Sequence, residues 1–524
     1  MRLAALTIVL LGSASAAILD TDKVTVWPVH SCVKVFPNDP PPQTPQAATL
    51  YAARGETESI QIVLRPKQPL TGLAATVSDL NATVRWVAYV PVKKESGPKG
   101  GTGLFPDPLP TRAPASIAAN QNQPVWITVR VPTSAKPGDY RGRVTFTTNG
   151  AKLCEVPLTL HVWNFALPPT ALKVMANARA ALRSGSPNDY TRNMTDHGVN
   201  TLGAQGRGWK EHDEQIAFLK SLGVRNFIMP LGWIKHERHR WPANATWEMP
   251  GAGSLRIANE ADTDFDPKFR QTLVSRIRES VEHYRQLGIL DRSFVRFIDE
   301  PLLEDQHTLD WVVRTSKLIK ETAPNLRIMQ TRAPVPSLIP VTDIWHVHTD
   351  LWGPRYSAHI EAARKAGAEI WVYHNSITLI DYSMMRVRTF AWALWKHRVT
   401  GTGAWWDLTA WVMNRQNPWE DTLYGPWNGG GTLLYPPRDK DEQGPIDSIR
   451  WEIWRDSLED YRLLELAAKH SNNAQLKQLL TEADTVCPTW PGVRDLSIEP
   501  YWSDVTKLES LRHRIAAALS QTVK

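Results

Sequence analysis

An alternation of short apolar stretches with helical patterns, from residue 171 to about 470, restricts the fold more than any other feature of the chain. Eight candidate strands lie at 172–176, 199–203, 224–230, 294–298, 327–330, 343–347, 369–373 and 403–406. Helical patterns separate most of them, at 214–222, 268–287, 308–322, 357–366, 384–398 and 446–468, with weaker patterns at 190–197 and near Ser337. This rhythm predicts a (β/α)8 barrel of the TIM type. An open doubly wound sheet is the alternative, but no GxGxxG or Walker sequence supports a nucleotide site.

The chain before the barrel has a different pattern. From Val24 to Pro168 short alternating strands, including 59–64, 124–131, 142–146 and 156–162, are separated by Pro and Gly. Such spacing predicts an antiparallel β-sandwich. Because 524 residues exceed what one core usually supports, we expect a sandwich at 17–168, the barrel at 171–470 and a helical C-terminal extension at 471–524 packed on the barrel.

The N-terminus has the features of an export signal. Arg2 precedes an apolar run at 3–11 and small residues ending at Ala16, so we expect residues 1–16 to be a signal peptide cut after Ala16, with the protein periplasmic or secreted. No later segment approaches the roughly 20 apolar residues of a membrane helix. Export would permit a bridge between Cys32 and Cys154, although three cysteines are too few for a disulfide framework or a zinc cluster.

Composition narrows the class of partner. The formal charge of +7 is modest and its Lys and Arg residues are scattered, so no basic stripe predicts nucleic-acid binding. The chain has 23 Trp residues, which either fill large cores or provide flat apolar platforms for sugar rings.

The most informative stretch is SFVRFIDEP, from Ser293 to Pro301. An apolar run ends in Asp299 and Glu300, and Pro301 stops the strand because it has no backbone donor. Adjacent carboxylates are expected to hold different protonation states, as catalytic pairs do. The structural alternative is a solvated pair that opens a loop. In a barrel the pair would lie at the C-terminal face, where active sites are built.

Other strand ends and loops deliver polar and aromatic residues to the same face. We predict that substrate is bound by Trp233, His346, His348, Asp350, Tyr373, Asn375, Trp405, Trp406 and Asp407. A carboxylate pair among aromatic residues is typical of a glycosidase. Adjacent acids do not fit the usual retaining arrangement, in which the two groups flank the bond at about 5–5.5 Å, but they fit a substrate-assisted scheme.

His346, His348 and Asp350 support a different hypothesis. Two imidazoles on one face of a strand with a nearby carboxylate resemble part of a metallohydrolase site, although no third well-placed ligand is evident. We expect no metal and no cofactor, and keep a metal-dependent hydrolase as an alternative.

Several motifs resemble glycoside hydrolase family 123. They are Ile298-Asp299-Glu300-Pro301 at a strand end, the block from Asn428 through Tyr435 to Tyr461, and the N-terminal segments around Arg54, Asp107 and Pro137. The resemblance covers nearly the whole mature chain. It implies a β-sandwich plus barrel and an exo-acting, retaining β-N-acetylgalactosaminidase.

In the mechanism that the resemblance implies, Asp299 orients the 2-acetamido group and Glu300 is the acid/base. The chain departs from the family pattern at His374, at Asn375 and in the charged insertion 438–443, which leaves the sugar open between GalNAc and GlcNAc. The expected partner is a glycan with a terminal β-linked 2-acetamido sugar. A non-catalytic glycan-binding protein on the same fold is the second alternative, and the oligomeric state is not predicted.

Overall fold

The computed structural model describes residues 18–44, 46–178, 187–204, 206, 208–231, 234–235, 255–256, 267–374, 376–487, 489–490 and 502–523. Of residues 234–235, 255–256, 376, 404–406 and 413 it describes the backbone alone. The expected signal peptide, Trp233 and Asn375 therefore lie outside the described residues, and so do the side chains of Trp405 and Trp406.

The N-terminal strands form two sheets around a shared apolar core. In spatial order, the five-stranded sheet contains Leu19–Asp20, Val24–His30, Thr57–Pro66, Gln123–Arg130 and Ala82–Trp86. The four-stranded sheet contains Thr49–Arg54, Ala151–Ala166, Gly138–Thr148 and Leu73–Ser78. Gln123–Arg130 lies between Thr57–Pro66 and Ala82–Trp86 and is almost entirely buried, which suits its β-branched and aromatic residues. The predicted β-sandwich is confirmed.

One pairing in the sandwich differs from the antiparallel expectation. Thr49–Arg54 runs parallel to Ala151–Ala166, whereas the other pairs in the two sheets are antiparallel. Smaller antiparallel pairs join Leu70–Thr71 to Ser116–Ile117 and Tyr89–Val92 to Gly103–Pro106.

The second half of the chain closes into a barrel of eight parallel strands. In chain order these barrel strands 1 to 8 are Lys173–Asn177, Thr201–Leu202, Asn226–Ile228, Ser293–Val295, Arg327–Thr331, Ile344–His348, Glu369–Tyr373 and Gly401–Asp407. Barrel strand 1 pairs with barrel strand 8, so the sheet is closed and the open doubly wound alternative is wrong. The predicted (β/α)8 barrel is confirmed.

Helices surround the barrel and extend beyond it. They are α1 (Pro187–Asp196), α2 (Trp209–Ser221), α3 (Pro267–Gln286), α4 (Gln306–Thr322), α5 (Pro354–Lys365), α6 (Met385–Arg388), α7 (Phe390–Lys396), α8 (Ala410–Met413), α9 (Ile449–Lys469), α10 (Ala474–Val486) and α11 (Val505–Thr522). The helix expected at 384–398 is divided at Thr389, whose hydroxyl donates to the Met385 carbonyl. Between barrel strands 5 and 6 there is a short 3-10 helix, Ile339–Val341, in a Pro-containing stretch.

Inward-facing side chains fill the lower part of the barrel in one layer. Its members come from six strands and form a separate buried cluster: Met175, Ile228, Phe294, Met329, Ile344 and Trp371. Trp371 explains the glycine that begins barrel strand 8, since a Cβ on Gly401 would overlap the indole ring. The barrel is therefore a packed core whose chemistry is confined to its ends.

A buried ion pair fixes the sandwich segment to the barrel. Asp107 accepts hydrogen bonds from Arg450 Nε at 2.9 Å and from Arg450 Nη2 at 2.8 Å, and the Tyr435 hydroxyl donates to Asp107 at 2.7 Å. Arg450 is fully buried near the start of α9. Removing either charge would leave its partner desolvated and unpaired, which is costly.

Further buried charges join α9 and α11 to the sandwich. Arg85 of the sandwich donates to Glu452 of α9 at 2.9 Å, and Arg512 of α11 bonds Asp460 at 2.7 Å and Glu58 at 2.6 Å. The C-terminal helix therefore contacts the sandwich, in addition to the barrel contact expected from the sequence.

Two smaller findings bear on the expectations. Cys32, Cys154 and Cys487 are buried free thiols, so the disulfide that export would permit is not formed in this structure. None of the described helices is long and apolar enough to cross a membrane.

Candidate active site

The carboxylate pair lies at the C-terminal end of barrel strand 4. The ladder ends at Val295, the buried residues Phe297 and Ile298 continue the chain, and Asp299 and Glu300 follow as partly exposed residues. We call this end of the barrel the mouth, defined by the C-terminal ends of the eight barrel strands. The structure thus places the pair on the face where barrel enzymes carry their sites.

Asp299 is held by an arginine from its own segment. Arg296 Nη1 donates to Asp299 Oδ1 at 3.0 Å, and the Arg296 side chain is only 4% exposed. Burial lowers the pKa of Arg296 to about 10 and the negative charge of Asp299 opposes this shift, so the guanidinium stays protonated at neutral pH. A buried cation at hydrogen-bond distance stabilises a negative charge on Asp299.

Glu300 has an unusual backbone conformation and two defined contacts. Its φ angle is 41°, in the left-handed region that residues other than glycine seldom adopt. The backbone N–H donates to Thr331 Oγ1 at 2.5 Å, and Oε1 accepts from the Tyr373 hydroxyl at 2.5 Å. These bonds connect barrel strand 4 to strands 5 and 7. Strain held in place by neighbouring elements is a frequent feature of functional sites.

Both carboxylates lie close enough to Arg296 and Tyr373 to act on their ionisation. The charges of Asp299 and Glu300 both contribute to the shifted pKa values of Arg296 and Tyr373. Burial and then the charge of Glu300 raise the pKa of Tyr373 well above its ordinary value. Its hydroxyl therefore stays protonated and remains a donor to Glu300.

His346 lies one layer below the mouth. It is fully buried, its ring centroid is 4.8 Å from that of Tyr373 and 6.1 Å from that of Trp371, and burial followed by the charge of Arg296 lowers its pKa to about 3. A neutral, buried imidazole in this position supports Tyr373 from beneath. The predicted contact of His346 with substrate does not fit this burial. Inward residues two apart on a strand lie about 6.6 Å apart along it, so His346 lies that far below His348, which is at the mouth.

His348 and Asp350 do lie at the mouth, and His374 joins them. The His348 ring is 4.8 Å from that of Tyr373 and 5.6 Å from that of His374, and His348 Nδ1 is 3.3 Å from Asp350 Oδ2. The structure therefore groups His348 and Asp350 with His374, from the end of barrel strand 7, and not with His346.

Asp407, at the end of barrel strand 8, is 4% exposed. Its Oδ1 accepts from the Thr409 N–H at 3.1 Å and from the Thr409 hydroxyl at 2.5 Å. These bonds stabilise the turn into α8, and the binding role of Asp407 stays a prediction. The roles of Trp233, Asn375, Trp405 and Trp406 stay predictions.

Sequence reasoning missed two contributors to the site. Arg296 lies three residues before Asp299, and an arginine inside a buried apolar run was a signal that it needs an acidic partner. Thr331 gave no signal, because one threonine at a strand end is common. His374 was visible as a strand-end residue, but its neighbours were not.

Two family profiles match the chain. One described as "Glycoside hydrolase 123, catalytic domain" matches residues 148–467, and one described as "Glycoside hydrolase 123 N-terminal domain" matches residues 36–148. The search of curated proteins gives no significant match.

One solved structure shows the same architecture over nearly the whole chain. A family 123 glycoside hydrolase from Clostridium perfringens aligns with a TM-score of 0.71 at 13% identity, covering 96% of this chain and 100% of that chain. An endo-beta-1,4-mannanase from Thermotoga petrophila gives a TM-score of 0.35 at 11% identity, covering 56% of this chain and 77% of that chain. A GH2 beta-galacturonidase from Eisenbergiella tayi gives a TM-score of 0.31 at 11% identity, covering 77% of this chain and 69% of that chain.

The catalytic-domain profile spans more than half of the chain and includes Asp299, Glu300 and Tyr373. The resemblance found in the sequence is thereby confirmed, together with the enzyme class. The chain belongs to glycoside hydrolase family 123.

Proposed function

We propose that this glycoside hydrolase removes terminal β-linked N-acetylgalactosamine with retention of configuration, using the 2-acetamido group of the sugar as nucleophile. The observation that carries the proposal is the position of Asp299 and Glu300 as neighbours at the mouth, each with a different partner. Arg296 supports a negative Asp299, and the Tyr373 hydroxyl bonds one oxygen of Glu300.

The first step divides the work between the two acids. The acetamido carbonyl oxygen attacks the anomeric carbon, the bond to the leaving oxygen breaks, and Glu300 gives that oxygen its proton. Asp299 accepts a hydrogen bond from the acetamido N–H and stabilises the positive charge of the oxazolinium ion. As Glu300 becomes negative, the Tyr373 hydroxyl stabilises the charge on its carboxylate.

The second step reverses the roles. Water attacks the anomeric carbon, Glu300 takes a proton from it, and the bond to the acetamido oxygen breaks to restore the sugar. Two successive inversions at one carbon give net retention. This scheme needs no protein nucleophile on the opposite face of the sugar, which is why neighbouring carboxylates suit it.

Fewer observations support the choice of N-acetylgalactosamine as the sugar than support the mechanism. The resemblance to the family implies N-acetylgalactosamine, and the Clostridium perfringens relative is described in terms of glycolipid glycan hydrolysis. Its likeness to this chain, at 13% identity, is one of fold. The preference between GalNAc and GlcNAc is therefore the first quantity to measure.

The test is hydrolysis of aryl β-glycosides that differ in the sugar, in the leaving group and in the 2-substituent. The proposal expects a preference for 2-acetamido sugars and a steep loss of rate when fluorination of the acetamido group weakens its carbonyl oxygen as a nucleophile. A rate that is insensitive to fluorination, or equal turnover of 2-hydroxy glycosides, would contradict substrate assistance. A parallel assay with a chelator tests the metal-dependent alternative.

Two variants separate the roles of the acids. Asp299→Asn should abolish turnover of all substrates, whereas Glu300→Gln should lose about 100- to 10,000-fold on poor leaving groups and little on very good ones. Glu321→Gln, on the exposed face of α4, is the matched control and should behave as wild type. Equal losses from the Asp299 and Glu300 variants on an activated substrate would refute the assigned roles.

We further propose that the protein is exported, on the basis of the signal-like residues 1–16. N-terminal sequencing of protein recovered outside the cytoplasm should begin at Ala17. Recovery of the unprocessed chain in the cytoplasm would contradict export.

A further inference from the structure

A second residue with an unusual backbone conformation lies beside the carboxylate pair. Arg332 directly follows barrel strand 5, and its φ angle is 79°. The residue before it, Thr331, accepts the hydrogen bond from the Glu300 N–H, and Glu300 is also left-handed. Contact between Cβ and the backbone disfavours this conformation for an arginine. Such residues persist where surrounding contacts fix them, often at functional sites.

The guanidinium of Arg332 belongs to the mouth. Burial and the charge of Glu300 raise the pKa of Tyr373, and the positive charge of Arg332 opposes that shift. The guanidinium therefore lies near the Tyr373 hydroxyl, which bonds Glu300. Its side chain is 23% exposed, so a molecule that enters the mouth can reach it.

Arg332 has donors to spare. Its Nη2 donates to Glu304 Oε1 at 2.9 Å, and within the described part of the chain this is the one hydrogen bond or ion pair of its side chain. A guanidinium has more N–H donors than one such bond uses. The Glu304 side chain is 53% exposed, and exposed ion pairs add little stability. Another anion can therefore replace Glu304 at small cost.

The neighbouring arginine of the mouth has a different task. Arg296 is 4% exposed and donates to Asp299 at 3.0 Å, so its charge balances that of Asp299. The charge of Arg332 is balanced only by the exposed Glu304 in the described structure. A cation without a buried counter-ion favours an anionic ligand.

The position of Arg332 indicates which part of the substrate it meets. This step rests on the proposed function, in which Asp299 binds the acetamido group and Glu300 protonates the leaving oxygen. Arg332 is connected to the Glu300 side of the pair through Thr331, whereas Asp299 is held by Arg296 of its own segment. A cation beside the acid/base faces the part of the glycan that leaves.

We propose that Arg332 binds an anionic substituent, a carboxylate or a sulfate, on the leaving part of the glycan, and so makes the enzyme selective for acidic glycans. The planar fork of N–H groups forms two parallel hydrogen bonds with such an anion. The anion takes the place of Glu304, which moves into solvent.

The test compares aryl β-N-acetylgalactosaminides whose aryl group is para-carboxyphenyl, para-sulfophenyl or the neutral para-carbamoylphenyl. Arg332→Gln should raise KM for the charged substrates by about 10- to 100-fold more than for the neutral one, with little change in kcat. Arg332→Lys should keep part of this selectivity. Each substrate is compared between enzymes, so differences in leaving-group acidity cancel. The charged substrate with the larger loss identifies carboxylate or sulfate as the preferred anion.

A second variant gives a result in the opposite direction. Glu304→Gln frees Arg332 from its partner and should lower KM for the charged substrates by about 2- to 5-fold. Arg285→Gln is the matched control, because this exposed arginine of α3 also pairs with a glutamate, Glu282, and lies outside the mouth. Near-ultraviolet circular dichroism checks that each variant is folded.

Calorimetry with the corresponding thioglycosides, which are not hydrolysed, separates this inference from the proposed reaction. Tighter binding of the charged thioglycoside that is lost in Arg332→Gln, without turnover of any substrate, would support Arg332 and refute the reaction. Turnover with equal effects of Arg332→Gln on charged and neutral substrates would overturn the role of Arg332 alone. Failure of wild type to bind any of the thioglycosides would overturn both.

Discussion

Replacing Tyr373 with phenylalanine removes one hydroxyl from the mouth and leaves the surrounding packing in place. The ring contacts with His346 and His348, both at 4.8 Å between centroids, depend on the aromatic ring and are retained. The lost interaction is the bond from the hydroxyl to Glu300 Oε1, at 2.5 Å. The Thr331 contact still holds the Glu300 backbone.

The expected size of the effect follows from that single bond. A hydrogen bond to a charged group contributes about 1.5–3 kcal/mol. In the proposed mechanism Glu300 gains negative charge as it protonates the leaving group, so the bond is stronger in the transition state than in the bound substrate. At 1.36 kcal/mol per factor of ten, kcat should fall by about 10- to 150-fold on substrates with poor leaving groups, with little change in KM.

The assay compares kcat and KM of wild type and Tyr373→Phe over a series of aryl leaving groups and over pH. Because the pKa of Tyr373 is raised by burial and by Glu300, its hydroxyl stays protonated, and titration of Tyr373 itself should not change the wild-type rate between about pH 5 and 9. Tyr284→Phe is the matched control. It removes a buried hydroxyl that lies 3.0 Å from His212, and it should cost about 1 kcal/mol of stability without changing kcat.

Three results would refute this reasoning. A rise in KM with kcat unchanged would mean that Tyr373 binds substrate equally in both states. The same loss on activated and poor leaving groups would separate Tyr373 from proton transfer. A loss beyond about 1,000-fold would exceed what one positioning bond supplies.

Two further predictions concern stability. Asp107→Ala should lower the free energy of unfolding by about 3–5 kcal/mol in urea titrations, because the fully buried Arg450 loses its carboxylate partner. A loss below about 1 kcal/mol would contradict that explanation. Burial and then the charges of Lys396 and Arg364 lower the pKa of His397 to about 4 from 6.5. The unfolded chain therefore binds the proton first, stability falls as pH drops from 6.5 to about 4, and thermal unfolding of His397→Gln should show a smaller decrease over that window.

Much of the fold could be predicted from local patterns. Barrel strand 7 was expected at 369–373 and is observed at Glu369–Tyr373, and the helix expected at 268–287 is observed as α3. Local patterns did not predict which residues of the short strands pair with a neighbouring strand. Apolar residues were expected to form a strand at 199–203, but only Thr201–Leu202 pairs, since pairing depends on where neighbouring strands run.

The parallel pair in the sandwich was missed for the same reason. Direction of pairing is a property of two segments about 100 residues apart, Thr49–Arg54 and Ala151–Ala166, and neither segment encodes it alone.

For the site, the chain's own pattern was enough to place Asp299 and Glu300 at a strand end, because an apolar run that stops at two acids and a proline has few other interpretations. The environment of the pair depended on tertiary structure. Tyr373 bonds Glu300 although it lies 73 residues away in the chain. His348 is grouped with His374 and not with His346, because the ends of neighbouring strands lie side by side at the mouth. Inward residues of one strand, by contrast, lie at different depths in the barrel. Hydrophobic periodicity is a local signal, whereas the partners of each charged group are set by how the closed barrel brings distant strands together.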